Sequence, residues 1–166
     1  MIGGNAYFGK RPDSELLVRW AQANALMPAM QFSIAPWDLG RETEALVAAA
    51  LEVRRKLSGV LLAVAEDAAH ALHPICRPLW FLDPADEATY TITDQYALGD
   101  HVIVAPVVTQ GAVTRDVYLP RGQWRDLDDA SLLYEGGRCL RDLHAPLSKL
   151  PCFIRVGATQ GNLHYL

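Results

Sequence analysis

The chain changes its hydrophobic pattern near His73, from helical spacing to short strand-like runs. Before this point, apolar residues recur at the period of an α-helix that buries one face. After it, short runs of β-branched and apolar residues are separated by Pro, Gly and Asp turns, as is typical of strands. Helices and strands in separate blocks predict two structural units, residues 1–73 and 74–166.

The first helix is predicted to begin at Asp13, since Asp13 and Glu15 favour the positive N-terminal end of a helix. It is predicted to end at Met27, because the residue before a proline is driven out of the α region. The apolar stretch Met27–Ile34 then predicts a short buried strand. A loop that carries Trp37 follows it.

A long helix is predicted from about Glu42 to Leu72, with a kink or break at Gly59. Its basic run, Arg54–Lys56, is interpreted as a solvated rim. The predicted buried stripe consists of Leu46, Val47, Ala50, Leu51, Leu57, Leu61, Val64 and Ala68.

Four strands are the clearest predictions in the second half. Ile75–Phe81 contains Pro78, which favours an edge strand because proline cannot donate to a neighbour. Val102–Val108 is continuously apolar, the pattern of a strand covered on both faces. Arg115–Leu119 alternates between polar and apolar residues, and Cys152–Val156 is the last clear strand.

Composition narrows the classes of function. With 166 residues, 51% of them hydrophobic and 20% charged, the chain is an ordinary globular protein. Its net charge of −4 argues against a nucleic-acid partner. No apolar run reaches the roughly 20 residues of a membrane span, so no membrane segment is predicted in this chain. The first residues have no signal-peptide pattern.

The three cysteines, Cys76, Cys139 and Cys152, are predicted to be buried thiols. The alternative is one disulfide with a remaining thiol. No C-x-x-C pair is present, and the histidines do not lie at ligand spacing from the cysteines. The sequence therefore predicts no metal site and no cofactor.

Candidate carboxylates for acid–base chemistry form two clusters in turns. Neither cluster follows an apolar strand, where desolvation would tune a carboxyl for catalysis. Calcium binding by the second cluster is an alternative, although the spacing of a known calcium loop is missing. The clusters are Asp83, Asp86 and Glu87, and Asp126, Asp128 and Asp129. The chain alone shows no complete catalytic constellation.

Helix, short strand, aromatic loop and long helix form a β/α unit like the closing part of a (β/α)8 barrel. In such barrels the active site lies at the C-terminal ends of the strands. Gln31, Ser33 and Trp37 would then lie where a substrate binds, and an indole suits the C–H face of a sugar ring. The alternative is that Trp37 covers the barrel end as part of the core.

Ten short motifs follow one another in an order that resembles glycoside hydrolase family 31. Each motif is weak by itself, but together they cover nearly the whole chain. They are Gly3-Gly4, Glu15-Leu16-x-x-Arg19-Trp20, Met27-Pro28, Arg77-Pro78-Leu79, Asp94-Gln95-Tyr96-x-Leu98-Gly99-Asp100, Val104-Ala105-Pro106-Val107, Arg115-Asp116-Val117-Tyr118-Leu119-Pro120 with Gly122 and Trp124, Tyr134-Glu135-Gly136-Gly137, Ala145-Pro146-Leu147 and Leu150-Pro151-x-Phe153-x-Arg155-x-Gly157.

Within the family, the segment from Met27 to Trp37 is most similar to the myogenesis-regulating glycosidase branch. The common α-glucosidase pattern has an Arg and a His where this chain has Gln31 and Ser33. The resemblance therefore implies an altered sugar site and an α-galactosidase-like or α-glucosidase-like activity. It also implies a parent protein that is membrane-anchored or enters the secretory pathway.

The resemblance implies a fold of α/β plus all-β class: the last β/α units of a (β/α)8 barrel, residues 1–73, followed by a β-sandwich, residues 74–166. Family members are retaining hydrolases with an Asp nucleophile and an Asp acid/base, and both lie upstream of the segment that this chain covers. No catalytic residue is therefore assigned here. The chain is expected to be inactive alone, and the intact enzyme to take a carbohydrate α-glycoside.

Two interpretations of the strand-rich half remain. In the first, Gly99, Pro106, Pro120 and Trp124 are turn and core residues that support the barrel. In the second, the half is a non-catalytic β-sandwich module that binds carbohydrate or a protein partner, with exposed aromatic residues such as Trp124.

Overall fold

The computed structural model describes residues 1–4 and 11–157. Its three α-helices are α1 Ser14–Asn24, α2 Arg41–Lys56 and α3 Ser58–Ala71. Short 3-10 helices span Pro36–Leu39, Leu79–Phe81 and Glu87–Thr89. The strands are β1 Cys76–Arg77, β2 Tyr96–Leu98, β3 Val102–Val104, β4 Thr114–Leu119, β5 Gln123–Asp126, β6 Leu133–Glu135, β7 Arg138–His144 and β8 Cys152–Arg155.

The strands form two antiparallel sheets. The larger sheet has the order β1-β2-β3-β8-β5-β6, and the smaller one pairs β4 with β7. β1 is an edge strand, as Pro78 predicted. It is shorter than expected, because the chain turns into the 3-10 helix Leu79–Phe81 directly after Pro78.

Side chains of the central strand β3 alternate between two layers. Val102 and Val104 pack with apolar side chains of α2 and α3, whereas Ile103 packs towards the β4–β7 sheet. All three are fully buried. The prediction of a strand covered on both faces is therefore confirmed for Val102–Val104, with helices on one face and a second sheet on the other. The strand ends four residues before the predicted end, and Val108 is 64% exposed.

Trp124 lies in the core between the two sheets. Its indole is fully buried with Val117, Leu119 and Phe153, and its Nε1 donates a hydrogen bond of 2.7 Å to the Pro120 carbonyl. The interpretation of Trp124 as a core residue is confirmed, and its use as an exposed carbohydrate-binding aromatic is wrong. Two sheets packed through a shared apolar core form a β-sandwich.

Helix α1 begins where the sequence predicted. The Asp13 side chain accepts a hydrogen bond of 2.8 Å from the Leu16 amide, and this caps the first turn. The helix ends at Asn24, three residues before Met27, so the limit set by Pro28 is not the observed end.

The predicted long helix consists of two helices that meet at Leu57, two residues before Gly59. Val47, Ala50 and Val64 of the predicted stripe are buried, but Leu51 is 41% exposed. Leu51 directly follows Ala50, and successive residues of a helix point about 100° apart. The inclusion of Leu51 in the stripe was therefore wrong.

All three cysteines are free thiols, so the structure contains no disulfide between them. Cys152 is buried, as predicted, and burial raises the pKa of its thiol. Cys76 and Cys139 are only partly buried, which corrects the prediction for these two.

An ion pair of α1 ties the helical half to the sandwich. Arg19 is 7% exposed, and its Nε donates to Glu15 at 2.8 Å while its Nη2 donates to the Ala112 carbonyl at 2.6 Å. The Glu15 carboxylate also accepts the Gly111 amide at 2.7 Å. The loop before β4 is thus held by both members of the pair.

This contact predicts a pH dependence of stability. The pKa of Glu15 lies below its ordinary value, first because Arg19 and then because Gly111 donates to the ionised carboxylate. A carboxyl group whose pKa is lower in the folded than in the unfolded state stabilises the fold at pH values above its unfolded-state pKa of about 4.3. This contribution is lost as the pH falls through the folded-state pKa. We therefore expect the stability advantage of wild type over Glu15→Gln to shrink from pH 7 to about pH 3. Urea midpoints across this range measure it.

Glu44→Gln, on the exposed face of α2, is the control for the loss of one negative charge. A constant difference between wild type and Glu15→Gln across the whole range would show that the carboxylate is not coupled to folding.

Candidate functional site

Gln31 and Ser33 lie on either side of Phe32, which forms a parallel bridge with Ile2. The Ile2 amide donates to the Gln31 carbonyl at 2.7 Å, and the Ser33 amide donates to the Ile2 carbonyl at 2.8 Å. This bridge is what remains of the strand predicted for Met27–Ile34. The side chain of Gln31 is exposed, whereas Ile2 is fully buried.

The hydroxyl of Ser33 contacts the glycine turn at the start of the chain. Its Oγ lies 3.0 Å from the Ile2 carbonyl oxygen and 3.1 Å from that of Gly4. Gly3 has a φ of +94°, and a Cβ there would lie 2.6 Å from the Ser33 Oγ. The single hydroxyl proton serves this turn, while the oxygen lone pairs can still accept a hydrogen bond from a ligand.

Trp37 lies on the 3-10 helix Pro36–Leu39 and is 65% exposed. The next residue, Asp38, forms an ion pair with Arg11 at 3.0 Å. Within this chain, Trp37 is therefore not part of the core. Its indole face is available for the apolar surface of a ligand. The ion pair of Asp38 joins this 3-10 helix to Arg11, which lies shortly before α1.

Arg54 is a residue that the sequence interpretation missed. It is partly buried, and its guanidinium donates to the carbonyl oxygens of Ala25, Met27 and Pro28 at 2.9, 2.7 and 3.1 Å. The interpretation of this basic run as a solvated rim is therefore wrong at Arg54. The helical spacing in the sequence could have indicated this position, because Arg54 is four residues after the buried Ala50 and thus on the buried face of α2.

The two acidic clusters serve the sandwich. Asp126 is 2% exposed and accepts the amides of Asp128 and Asp129 at 2.8 and 3.2 Å, with Lys149 Nζ at 3.2 Å. These contacts make Asp126 a turn residue. Among residues 1–4 and 11–157, no group of three or more His, Cys, Asp or Glu side chains could hold a metal ion.

The first cluster contains Asp86, which is 9% exposed and accepts the Tyr118 hydroxyl at 2.6 Å. Burial, followed by this hydrogen bond, raises the pKa of Tyr118 to about 12. Asp86 therefore joins the turn before β2 to strand β4. Its contacts are those of a structural carboxylate.

Two further aspartates of the sandwich are bound to arginines. Asp94 pairs with Arg115 at 3.0 Å, and Asp100 pairs with Arg77, which is 2% exposed. Arg77 also contacts Asp67 of α3 at 3.2 Å. These contacts make Asp94 and Asp100 structural carboxylates of the sandwich.

A groove of about 960 Å³ lies elsewhere, between α3 and β5. It is lined by Leu62, Leu127 and Ile154, among others, and by none of Gln31, Ser33 and Trp37. Its size alone does not connect it with the predicted site.

Residues 72–159 match the profile of the glycosyl hydrolase family 31 C-terminal domain. This match covers the six-stranded sheet and the β4–β7 pair. The chain belongs to glycoside hydrolase family 31, and the resemblance read from its motifs is confirmed.

Relatives of known sequence agree with this assignment. The SITS-binding protein of Tetronarce californica is 39% identical over 159 residues, which are 93% of this chain and 23% of that protein. The myogenesis-regulating glycosidase of Mus musculus is 43% identical over 134 residues, 75% of this chain and 19% of that protein.

Among solved structures, a family 31 dextranase of Flavobacterium johnsoniae in complex with glucose superposes with a TM-score of 0.81 at 35% identity. The match covers 87% of this chain and 18% of the dextranase. The chain thus spans about a fifth of the length of the proteins that it matches. In the described residues, no helix is long and apolar enough to cross a membrane.

Proposed function

We propose that this chain is the C-terminal part of a retaining α-glycosidase that hydrolyses O-glycosyl bonds of α-glycosides. Residues 1–73 would supply the last β/α units of a (β/α)8 barrel, and residues 74–166 its β-sandwich. The observation that carries this proposal is the parallel bridge between Ile2 and Phe32, on either side of helix α1.

Parallel pairing across a helix is the geometry of a βαβ unit. Parallel strands occur almost only in sheets that are covered on both faces, and two strands do not form a stable sheet by themselves. Residues 1–4 and 31–33 therefore need further parallel strands beside them. The chain spans only about a fifth of the length of the relatives that it matches, which leaves room for such strands and supports an incomplete barrel here.

Gln31, Ser33 and Trp37 would form one wall of the sugar-binding pocket. They follow one another from the bridge to the loop beyond it, which is the end of a barrel strand where active sites lie. Gln31 supplies an amide with both donors and an acceptor, and Ser33 supplies lone pairs. The exposed indole of Trp37 offers a surface for the C–H face of a sugar.

The catalytic carboxylates would precede residue 1. Retention requires two carboxyl groups roughly 5 Å apart across the scissile bond. Close to the proposed wall, Asp38 is paired with Arg11 at 3.0 Å. The chain by itself would therefore lack the nucleophile and the acid/base. The substrate would be an α-galactoside or an α-glucoside, and the resemblance of residues 27–37 to the myogenesis-regulating glycosidase branch favours the α-galactoside.

We expect the purified 166-residue chain to show no turnover of aryl α-galactosides or aryl α-glucosides. A full-length protein that contains this chain should hydrolyse one of them with retention of the anomeric configuration. Release of the aryl alcohol measures turnover, and proton NMR of the first sugar formed measures stereochemistry.

Turnover by the chain alone would contradict the upstream position of the catalytic pair. Inversion, or no hydrolysis of any α-glycoside by the full-length protein, would contradict the proposed reaction. Titration of the chain with oligosaccharides is the companion control, since saturable binding without any hydrolysis by the longer protein would indicate a binding module.

A further inference from the structure

The segment from Met27 to Ser33 is held at both ends by contacts from other parts of the chain. We propose that Arg54 is a positioning residue, which fixes this segment so that Gln31 reaches the sugar in the intact enzyme. The inference rests on the proposed function. Arg54 itself would not touch the substrate, because its guanidinium is engaged with three backbone carbonyls.

The contacts of Arg54 define the first anchor. Nη1 donates to the Ala25 and Met27 carbonyls, and Nη2 donates to that of Pro28. Carbonyls at a helix C-terminus have no partner within the helix, so a cation there is favourable. The planar guanidinium serves all three carbonyls at once, whereas a lysine ammonium is a compact charge on a flexible stem.

The second anchor is the bridge between Ile2 and Phe32, together with the Ser33 hydroxyl. Gln31 is three positions after Pro28, a span of at most about 10 Å. Gln31 therefore lies on a short segment that is held at both ends by other parts of the chain. Loss of the Arg54 guanidinium removes the contacts at one end of this segment and leaves those at the other end intact.

Such a loss should change selectivity more than it changes folding. Gln31 stands where the resemblance places an arginine in α-glucosidases, so its position bears on which sugar is accepted. A displacement of about 1 Å at a substrate-positioning group can cost on the order of a hundredfold in rate. Loss of fold, by contrast, lowers the activity towards all sugars by the same factor.

Arg55 provides a matched control on the same helix. It has the same charge, its side chain is 74% exposed, and it bonds to Glu52 at 2.7 Å. Arg55→Ala removes the same number of atoms and the same charge as Arg54→Ala. It leaves the three carbonyl contacts intact.

The test measures kcat and KM for aryl α-galactoside and aryl α-glucoside in the full-length protein. We expect Arg54→Ala to change the ratio of the two kcat/KM values by about tenfold and to raise KM for the preferred sugar. Arg54→Lys should recover part of the ratio. Gln31→Ala should change it in the same direction, and Arg55→Ala should leave it within about twofold.

An unchanged ratio in Arg54→Ala, in an enzyme that retains hydrolysis, would overturn the positioning role. An equal change in Arg55→Ala would overturn it as well, because the effect would then come from charge alone. If Arg54→Ala does not fold, an unchanged ratio in Arg54→Lys overturns the role. Failure of the proposed function is a different result, in which the wild-type protein hydrolyses neither sugar.

Discussion

We expect Trp124→Ala to lower the free energy of unfolding of the chain by about 3–5 kcal/mol. The indole is fully buried between the two sheets, and its removal leaves a cavity that the surrounding strands cannot close. The variant also loses the hydrogen bond from Nε1 to the Pro120 carbonyl. It further removes the ring over which the Arg155 guanidinium lies, at 4.9 Å from the centroid.

Urea unfolding followed by near-ultraviolet circular dichroism measures this loss. Trp80→Ala is the matched control, since Trp80 is 45% exposed, and its effect should be far smaller. Trp124→Phe keeps most of the volume but not the donor, so it separates packing from the hydrogen bond. Equal losses at Trp80 and Trp124 would mean that Trp124 does not form the core of the sandwich.

Gly136→Ala should be comparably severe, at about 3 kcal/mol or more, because the backbone offers no space for a side chain. A Cβ at this position would lie 2.0 Å from the Pro120 carbonyl oxygen and 2.9 Å from that of Gly122. The Gly136 amide donates to the Gly122 carbonyl at 2.7 Å, so the two turns are joined at this point. Relief of the clash would have to break this contact.

Gly111→Ala separates the clash from backbone strain. Gly111 has a φ of +73° and no atom within 4 Å of an added Cβ, so it should lose only about 1–2 kcal/mol. Thermal unfolding of both variants at equal protein concentration gives the comparison. If Gly136→Ala is no less stable than Gly111→Ala, the close approach of the two turns does not exist in solution.

Local elements of the fold could be predicted where a single stretch of sequence contains the whole cause. Asp13 caps α1 because the acceptor and the amide that it binds are three residues apart. Val117 and Leu119 are buried because alternation along a strand places both on one face. The motifs that run from Gly3 to Gly157 were enough to identify the family.

Partners that lie far apart along the chain could not be predicted in this way. The strand expected at Met27–Ile34 is a single bridge, because its pairing partner Ile2 lies far away along the sequence, on the other side of α1. The role of Arg54 was missed because its acceptors lie 26 to 29 residues earlier. A run of charged residues indicates a solvent-exposed surface unless the positions of the neighbouring backbone carbonyls are known.

The sequence by itself determined the family and the change from helices to strands, since each is written in local pattern or motif order. The assignment of Gln31, Ser33 and Trp37 to a sugar-binding wall stays a prediction. Tertiary structure decided which polar side chains serve the fold. It assigned Asp86, Asp126 and Arg77 to buried contacts, and it joined Ser33 to the glycine turn. The physical reason is that hydrogen bonds and burial depend on distances between segments, and a sequence read locally does not contain those distances.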